Sequence, residues 1–137
     1  MKYYKYNRVL LLFFVIFVVV ACSKCPELEG TWVGYADGKP PADWTLTIRG
    51  NQYNLIREES GTWYSGNIRL NNNCNLKKID FTITNTSIQT HRGKTSLGIY
   101  KIEEDTLTIV ASQPGRLRRP LSFNVFEDAL VYVFVRG

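Results

Sequence analysis

The chain has 137 residues, with 17 Lys and Arg against 12 Asp and Glu, one His and three Cys. That length holds one globular domain and leaves no room for two, and a single His excludes a three-His zinc centre. The formal charge of +5 invites a nucleic-acid reading, which the distribution of the charges then removes.

Lys2, Lys5 and Arg8 precede an unbroken apolar run from Val9 to Ala21, 13 residues long. A helix crossing a bilayer needs roughly 17–25 apolar residues, whereas a basic start, a short apolar stretch and a small residue before a cut mark a secretory signal. Residues 1–21 are therefore expected to be removed. Val19-Val20-Ala21-Cys22 resembles a bacterial lipobox, a resemblance that makes Cys22 the first residue of the mature chain and the site of lipidation by acyl groups such as palmitate. The expected partner at this end is the lipid bilayer. Ser23 stands where the enterobacterial form of this signal carries the Asp that retains a lipoprotein at the inner membrane, so the expected address is the outer membrane of a bacterial cell envelope. Without residues 1–21 the formal charge falls to +2. Only Arg116, Arg118 and Arg119 cluster, which is less than the basic stripe that nucleic-acid binding needs.

Cys25 and Cys74 then remain, in a compartment where disulfides form and persist. They either bridge, closing a loop across the first half of the domain, or stay as two free thiols. Cys22-Ser23-Lys24-Cys25 does not read as haem attachment, because no His follows Cys25.

Residues 22–28 read as a lipidated tether and 29–137 as the folded domain. The domain is a succession of short alternating segments with no helical period, which predicts an all-β architecture. Candidate strands cover 30–36, 43–49, 52–58, 61–70, 78–84, 95–102, 106–112, 120–126 and 129–136. Alternation is clearest where Ile79, Phe81 and Ile83 interleave with Asp80, Thr82 and Thr84, and it recurs in Leu121, Phe123 and Val125. Turn chemistry separates the segments at Asp37-Gly38, Gly50-Asn51, Ser60-Gly61, the Asn71 to Asn75 run, Glu103-Glu104-Asp105, Pro114-Gly115 and Glu127-Asp128. Eight or nine strands joined this way predict a single antiparallel up-and-down barrel. Leu130 to Val135 is apolar at every position, so the last strand is expected to be buried on both faces and to pair with the first, removing the sheet edges.

Leu28-Glu29-Gly30-Thr31-Trp32 resembles the G-x-W opening of lipocalins and related calycin barrels. Gly93 to Tyr100, Asp105 to Ile109, Pro114-Gly115 and Arg119 to Phe123 are similar, in order, to a bacterial lipocalin-like domain known mainly as a conserved planctomycete-type domain of largely undefined role. The resemblance spans about residues 28–125 and implies a lipocalin-like barrel. It implies further that Trp32 plugs one barrel end and that an Arg of the last strand lies across its indole. Arg136 matches by position, with Arg118 and Arg119 as rivals. Cys25, Cys74 and the Asn-rich loop are not part of this pattern.

Catalytic constellations are scarce. Gly93-Lys94-Thr95 lacks the earlier Gly of a phosphate-binding loop, which would fall at Ile88. His91 would have to serve any triad from a polar loop, and no G-x-S-x-G elbow supplies a nucleophile. Of Asp80, Glu103, Glu104 and Asp105, three share one tight turn, where carboxylates are ordinarily solvated. The expectation is a non-catalytic protein without a metal or other cofactor.

The aromatic residues carry the remaining functional potential. An eight-stranded barrel is just wide enough either to fill with its own side chains or to hold one small ligand. Trp44, Tyr53, Trp63, Phe81, Tyr100 and Phe123 are the candidate ligand contacts, while Trp32 and Arg136 belong to closure. Two expectations follow. A small hydrophobic ligand predicts a cavity of at least about 300 Å³. A protein-binding envelope module, for example an inhibitor of a wall-degrading enzyme, predicts a filled barrel that recognises its partner through loops such as 37–43 or 113–120.

Overall fold

A computed structural model describes residues 27–71, 76–124 and 128–137. The signal segment 1–21 and Cys22, Cys25 and Cys74 lie outside them. Among the described residues the chain forms eight strands: β1 (Gly30–Ala36), β2 (Trp44–Arg49), β3 (Gln52–Arg57), β4 (Thr62–Asn71), β5 (Lys78–Thr86), β6 (Thr95–Glu103), β7 (Thr106–Ser112) and β8 (Ala129–Arg136). Each pairs antiparallel with the next, and β8 pairs with β1 to close the barrel, Trp32 standing opposite Arg136 and Ala36 opposite Tyr132. Closure gives every strand two neighbours and so removes the free outer strands that would template aggregation.

The period-2 pattern sets which side chains enter the barrel. Ile79, Phe81 and Ile83 of β5 are buried while Asp80 and Thr82 between them are partly exposed. β2 behaves likewise, with Trp44, Leu46 and Ile48 buried. Two of the inward positions are Gly because no other residue fits. A Cβ on Gly34 would stand 1.9 Å from the Val133 carbonyl oxygen, and one on Gly66 would stand 1.8 Å from that of Thr82. At Gly66 the pairing of β4 with β5 also slips, the partner jumping from Ile83 to Asn85. Thr84, skipped by the ladder, donates its hydroxyl to the Ser65 carbonyl at 3.2 Å.

Two sequence expectations are corrected. Residues 120–124 are not a strand, although Leu121 and Phe123 alternate with polar neighbours. β7 and β8 pair directly from Thr106 opposite Val135 to Ser112 opposite Ala129, so no edge is free to receive a ninth strand. The segment after Ser112 instead runs down the outside of the barrel as a strap. Arg119 holds it there, donating to the Gly98 carbonyl at 2.8 Å and pairing with Asp80 at 2.6 Å. Phe123 lies under the Lys101 ammonium at 4.8 Å. Ile99 and Val110 are cross-strand partners on the outer face, yet both are 0% exposed, which fits a strap fastened to Gly98, Asp80 and Lys101 around them. β8, in turn, is not buried on both faces: Phe134 is buried, but Val135 is 52% exposed. Its unbroken apolarity reflects β-propensity as much as burial.

The two ends of the barrel differ. At the end where β1 begins, Leu28, Trp32, Ile79, Tyr100 and Leu107 are all essentially inaccessible and pack the interior solid. The Trp32 indole N–H donates to the Leu28 carbonyl at 2.9 Å, folding the chain before β1 under the barrel as a plug. At the opposite end the loops after β1, β3, β5 and β7 surround a mouth, and the loop after β5 contains a short 3₁₀ turn, Gln89–His91.

Candidate functional site

Beneath that mouth the upper half of the barrel encloses a cavity of about 310 Å³. Its body is apolar, built from inward positions of β2, β3, β5, β7 and β8: Leu46, Leu55, Phe81, Ile83, Ile109 and Phe134. Tyr53 meets Phe81 edge-to-face at 5.0 Å, and Tyr132 stacks on Phe134 at 5.8 Å. Such offset and T-shaped pairs fix the rings in place, so the wall is preformed.

The polar side chains of the lining are few: His91, Ser96, Ser112 and Gln113, with the phenols of Tyr53, Tyr64 and Tyr132. Tyr64, inward on β4 just before the slip in pairing, forms a 3.1 Å hydrogen bond with His91 Nδ1, and the two rings stack at 5.9 Å. Ser96 and Ser112 also line the cavity, but their hydroxyls are spent on backbone carbonyls, Ser96 donating to Ser112 and Ser112 to Arg118. No Lys, Arg, Asp or Glu lines the cavity among the described residues. Burial pushes the phenols of Tyr53, Tyr64 and Tyr132 above their ordinary value, and for Tyr53 and Tyr132 the neighbouring phenol of Tyr64 adds to the effect. All three are therefore neutral hydroxyls at any physiological pH.

Of the six aromatic residues singled out from sequence, Tyr53 and Phe81 line this cavity. The structure places the other four elsewhere. Trp44 is buried against Tyr132, the two rings edge-to-face at 5.6 Å, with the Arg57 guanidinium 5.8 Å from its ring centroid. Arg57 is itself held by Asp43 at 2.8 Å, which keeps the Asp43 carboxyl below the usual carboxylate range. Trp63 points outward and is 36% exposed, because its neighbour Tyr64 takes the inward position. Tyr100 is sealed in the packed lower half, and Phe123 belongs to the strap outside the barrel. Tyr64, Tyr132 and His91 line the cavity but are not among the six candidate ligand contacts. The inward period of β8 runs through Tyr132 and was readable, whereas the pairing of His91 with Tyr64 joins residues 27 apart through a loop.

Arg136 lies over Trp32, 4.2 Å from the ring centroid, at the plugged end. Arg119 lies on the barrel wall instead, and the Arg118 carbonyl accepts from Ser112. No group of three or more His, Cys, Asp or Glu side chains comes together among the described residues. The chain matches no family model, no curated protein and no solved structure with which it was compared.

Proposed function

We propose that the protein is a lipid-anchored component of a bacterial envelope, held at the outer membrane through an acylated Cys22, whose lipocalin-like barrel binds one small hydrophobic ligand without catalysis. The observation that carries the reading is the one-ended cavity of about 310 Å³ above a solid plug. Its size lies at the lower end for small-molecule sites, and an apolar body with a few fixed polar groups is their usual make-up. The resemblance to the planctomycete-type lipocalin-like domain supports the same reading through the G-x-W plug. The unfilled upper half favours it over the protein-binding module, which called for a filled barrel. Glu27, five residues after Cys22 in sequence, lies at the plugged end against Arg136, so an anchor at Cys22 directs the mouth away from the bilayer. A Cys25–Cys74 bridge would tie the tether to the loop after β4, at that same end.

The test uses the mature chain, residues 22–137, with Cys22→Ser so that no acyl chain competes. At about 0.3 kcal/mol per heavy atom, the neutral probe N-phenyl-1-naphthylamine binds with roughly 5 kcal/mol, a dissociation constant of about 0.2 mM. The expected result is saturable one-to-one fluorescence enhancement that Ala111→Phe abolishes, since Ala111 lines the cavity and a ring there occupies it. Enhancement that never saturates, or that survives Ala111→Phe, would refute the site. Mass spectrometry of the membrane-extracted natural chain tests the anchor: acyl mass on an N-terminal Cys22 peptide is expected, and an unmodified Cys22 inside a longer chain overturns it.

A further inference from the structure

The hydrogen-bonding groups in the cavity are not balanced. The hydroxyls of Tyr53 and Tyr132 have no hydrogen-bond partner among the described residues. The Tyr64–His91 pair holds one more donor whichever way its proton points. If Tyr64 donates to Nδ1, the neutral imidazole keeps an N–H at Nε2. If Nδ1–H donates to the phenol oxygen, Tyr64 keeps its O–H. Ser96 and Ser112 direct their own hydroxyl hydrogens at backbone carbonyls. Three donors, from β3, β8 and the Tyr64–His91 pair, thus line one largely apolar space, and Gln113, the one other polar side chain of the lining, is exposed at the mouth.

That arrangement asks for an acceptor, and the surroundings decide which kind. A carboxylate or phosphate needs a cation or several charge-assisted donors when taken out of water, and no Lys or Arg lines the cavity among the described residues. The desolvation that keeps the three phenols protonated penalises any other anion placed beside them in the same way. A neutral carbonyl oxygen carries two lone pairs and no such penalty. The body behind it meets Phe81, Phe134 and the rings of the tyrosines, surfaces that suit a flat ring system by stacking and edge contacts.

We propose that the cavity selects neutral, compact carbonyl compounds with an aromatic or alicyclic body, the two lone pairs of the carbonyl oxygen shared among the phenols of Tyr53 and Tyr132 and the Tyr64–His91 pair. This rests on the ligand-binding reading and narrows it to a chemical class. Fatty acids and other anionic amphiphiles are disfavoured by the same argument.

Displacement of N-phenyl-1-naphthylamine from the mature chain by 2-acetonaphthone, by its hydrocarbon counterpart 2-isopropylnaphthalene and by 2-naphthoate tests the proposal. The hydrocarbon is intrinsically the greasier ligand, so the informative quantity is the ratio of ketone to hydrocarbon affinity. In a Tyr53→Phe/Tyr132→Phe variant this ratio is expected to fall at least tenfold, with the hydrocarbon still displacing the probe saturably to report an open cavity. Each single Phe variant carries a smaller fall, so the result stands even if the double variant does not fold. 2-Naphthoate is expected to displace the probe more weakly than the ketone. A ratio unchanged in the Phe variants, or naphthoate binding tighter than the ketone, overturns the selectivity while leaving the ligand site standing. No saturable binding of the probe or of any of the three overturns both.

Discussion

The guanidinium of Arg136 lies over the indole of Trp32, 4.2 Å from the ring centroid, while its two amino groups donate to the carbonyls of Glu29 at 2.8 Å and Glu27 at 2.7 Å. The last side chain of β8 thereby clasps the chain that precedes β1, and Gly137 N–H donates to the Thr31 carbonyl beside it. Closure of the barrel and closure of its lower end are one structural event.

Removing each member separates the two contributions. Trp32→Ala deletes a fully buried indole and is expected to lower stability by about 3–5 kcal/mol. Arg136 stands at the surface, where a cation over a ring contributes about 0.5–1 kcal/mol, so Arg136→Ala is expected to lower stability by about 1–2 kcal/mol with its hydrogen bonds included. Urea denaturation of both single variants and the double variant measures this. An Arg136→Ala variant as stable as the natural chain refutes the clasp.

Gly66 and Gly61 are predicted to differ sharply although both are strand-associated glycines. A methyl on Gly66 meets the Thr82 carbonyl at 1.8 Å, and the obstacle is backbone that cannot move without parting β4 from β5. Gly66→Ala is expected to prevent folding or to lower stability by more than about 3 kcal/mol. At Gly61 the space is open but φ is +66°, so Gly61→Ala is expected to cost about 1–2 kcal/mol from the left-handed backbone alone. Thermal melts of the two Ala variants rank them.

The contrast between legible and illegible features follows from range. Ile79, Phe81 and Ile83 announced their inward face through alternation along one strand, and the apolar β8 ending in Arg136 announced its pairing with the strand that carries Trp32. Leu121 and Phe123 show the same alternation, but whether they join the sheet depends on β7 and β8 meeting each other, which no local pattern expresses. Trp63 and Tyr64 are adjacent aromatics, and their assignment to outside and inside follows from register along β4, where Gly66 and Ile68 share the face of Tyr64. The site was therefore half readable: Tyr53 and Phe81 by period, Tyr64 with His91 only by topology.

The buried phenols predict a steep loss of stability in alkali. A phenol whose folded value lies above its unfolded value of about 10 leaves stability unchanged below pH 10. Above it the unfolded chain ionises first, and stability falls by up to about 1.4 kcal/mol per pH unit for each such group. Tyr53 and Tyr132, both pushed up chiefly by burial, are expected to contribute most of this fall between pH 10 and 12. Tyr53→Phe and Tyr132→Phe should each flatten the dependence in urea titrations at stepped pH. An unaltered slope in both variants would show that these phenols ionise freely in the folded barrel.

The strap supplies the last prediction, because its attachment rests on few contacts. Between Ser112 and Asp128 it presents Leu117, 97% exposed, and Leu121, 74% exposed, so little of its own apolar surface holds it down. Its start is tied by Gly115 N–H to the Thr95 carbonyl and by the Ser112 hydroxyl to the Arg118 carbonyl, and its middle by Arg119, whose side chain is 21% exposed and whose guanidinium reaches both Asp80 and the Gly98 carbonyl. Loss of one partner from a half-buried ion pair leaves the other without compensation, and here it also frees a segment carrying two tryptic sites at the exposed Arg116 and Arg118. Arg119→Gln is therefore expected to speed trypsin cleavage at those two sites about tenfold, a shift of about 1.4 kcal/mol in local opening. Asp80→Asn should accelerate the same cuts by a smaller factor, since Arg119 retains the Gly98 carbonyl. The melting temperature of the barrel is expected to fall only slightly in either variant, because every strand keeps both neighbours. Equal cleavage rates in the natural chain and the Arg119→Gln variant would mean that the cover over Ile99 and Val110 is held by the apolar contacts of Pro120 and Phe123 instead.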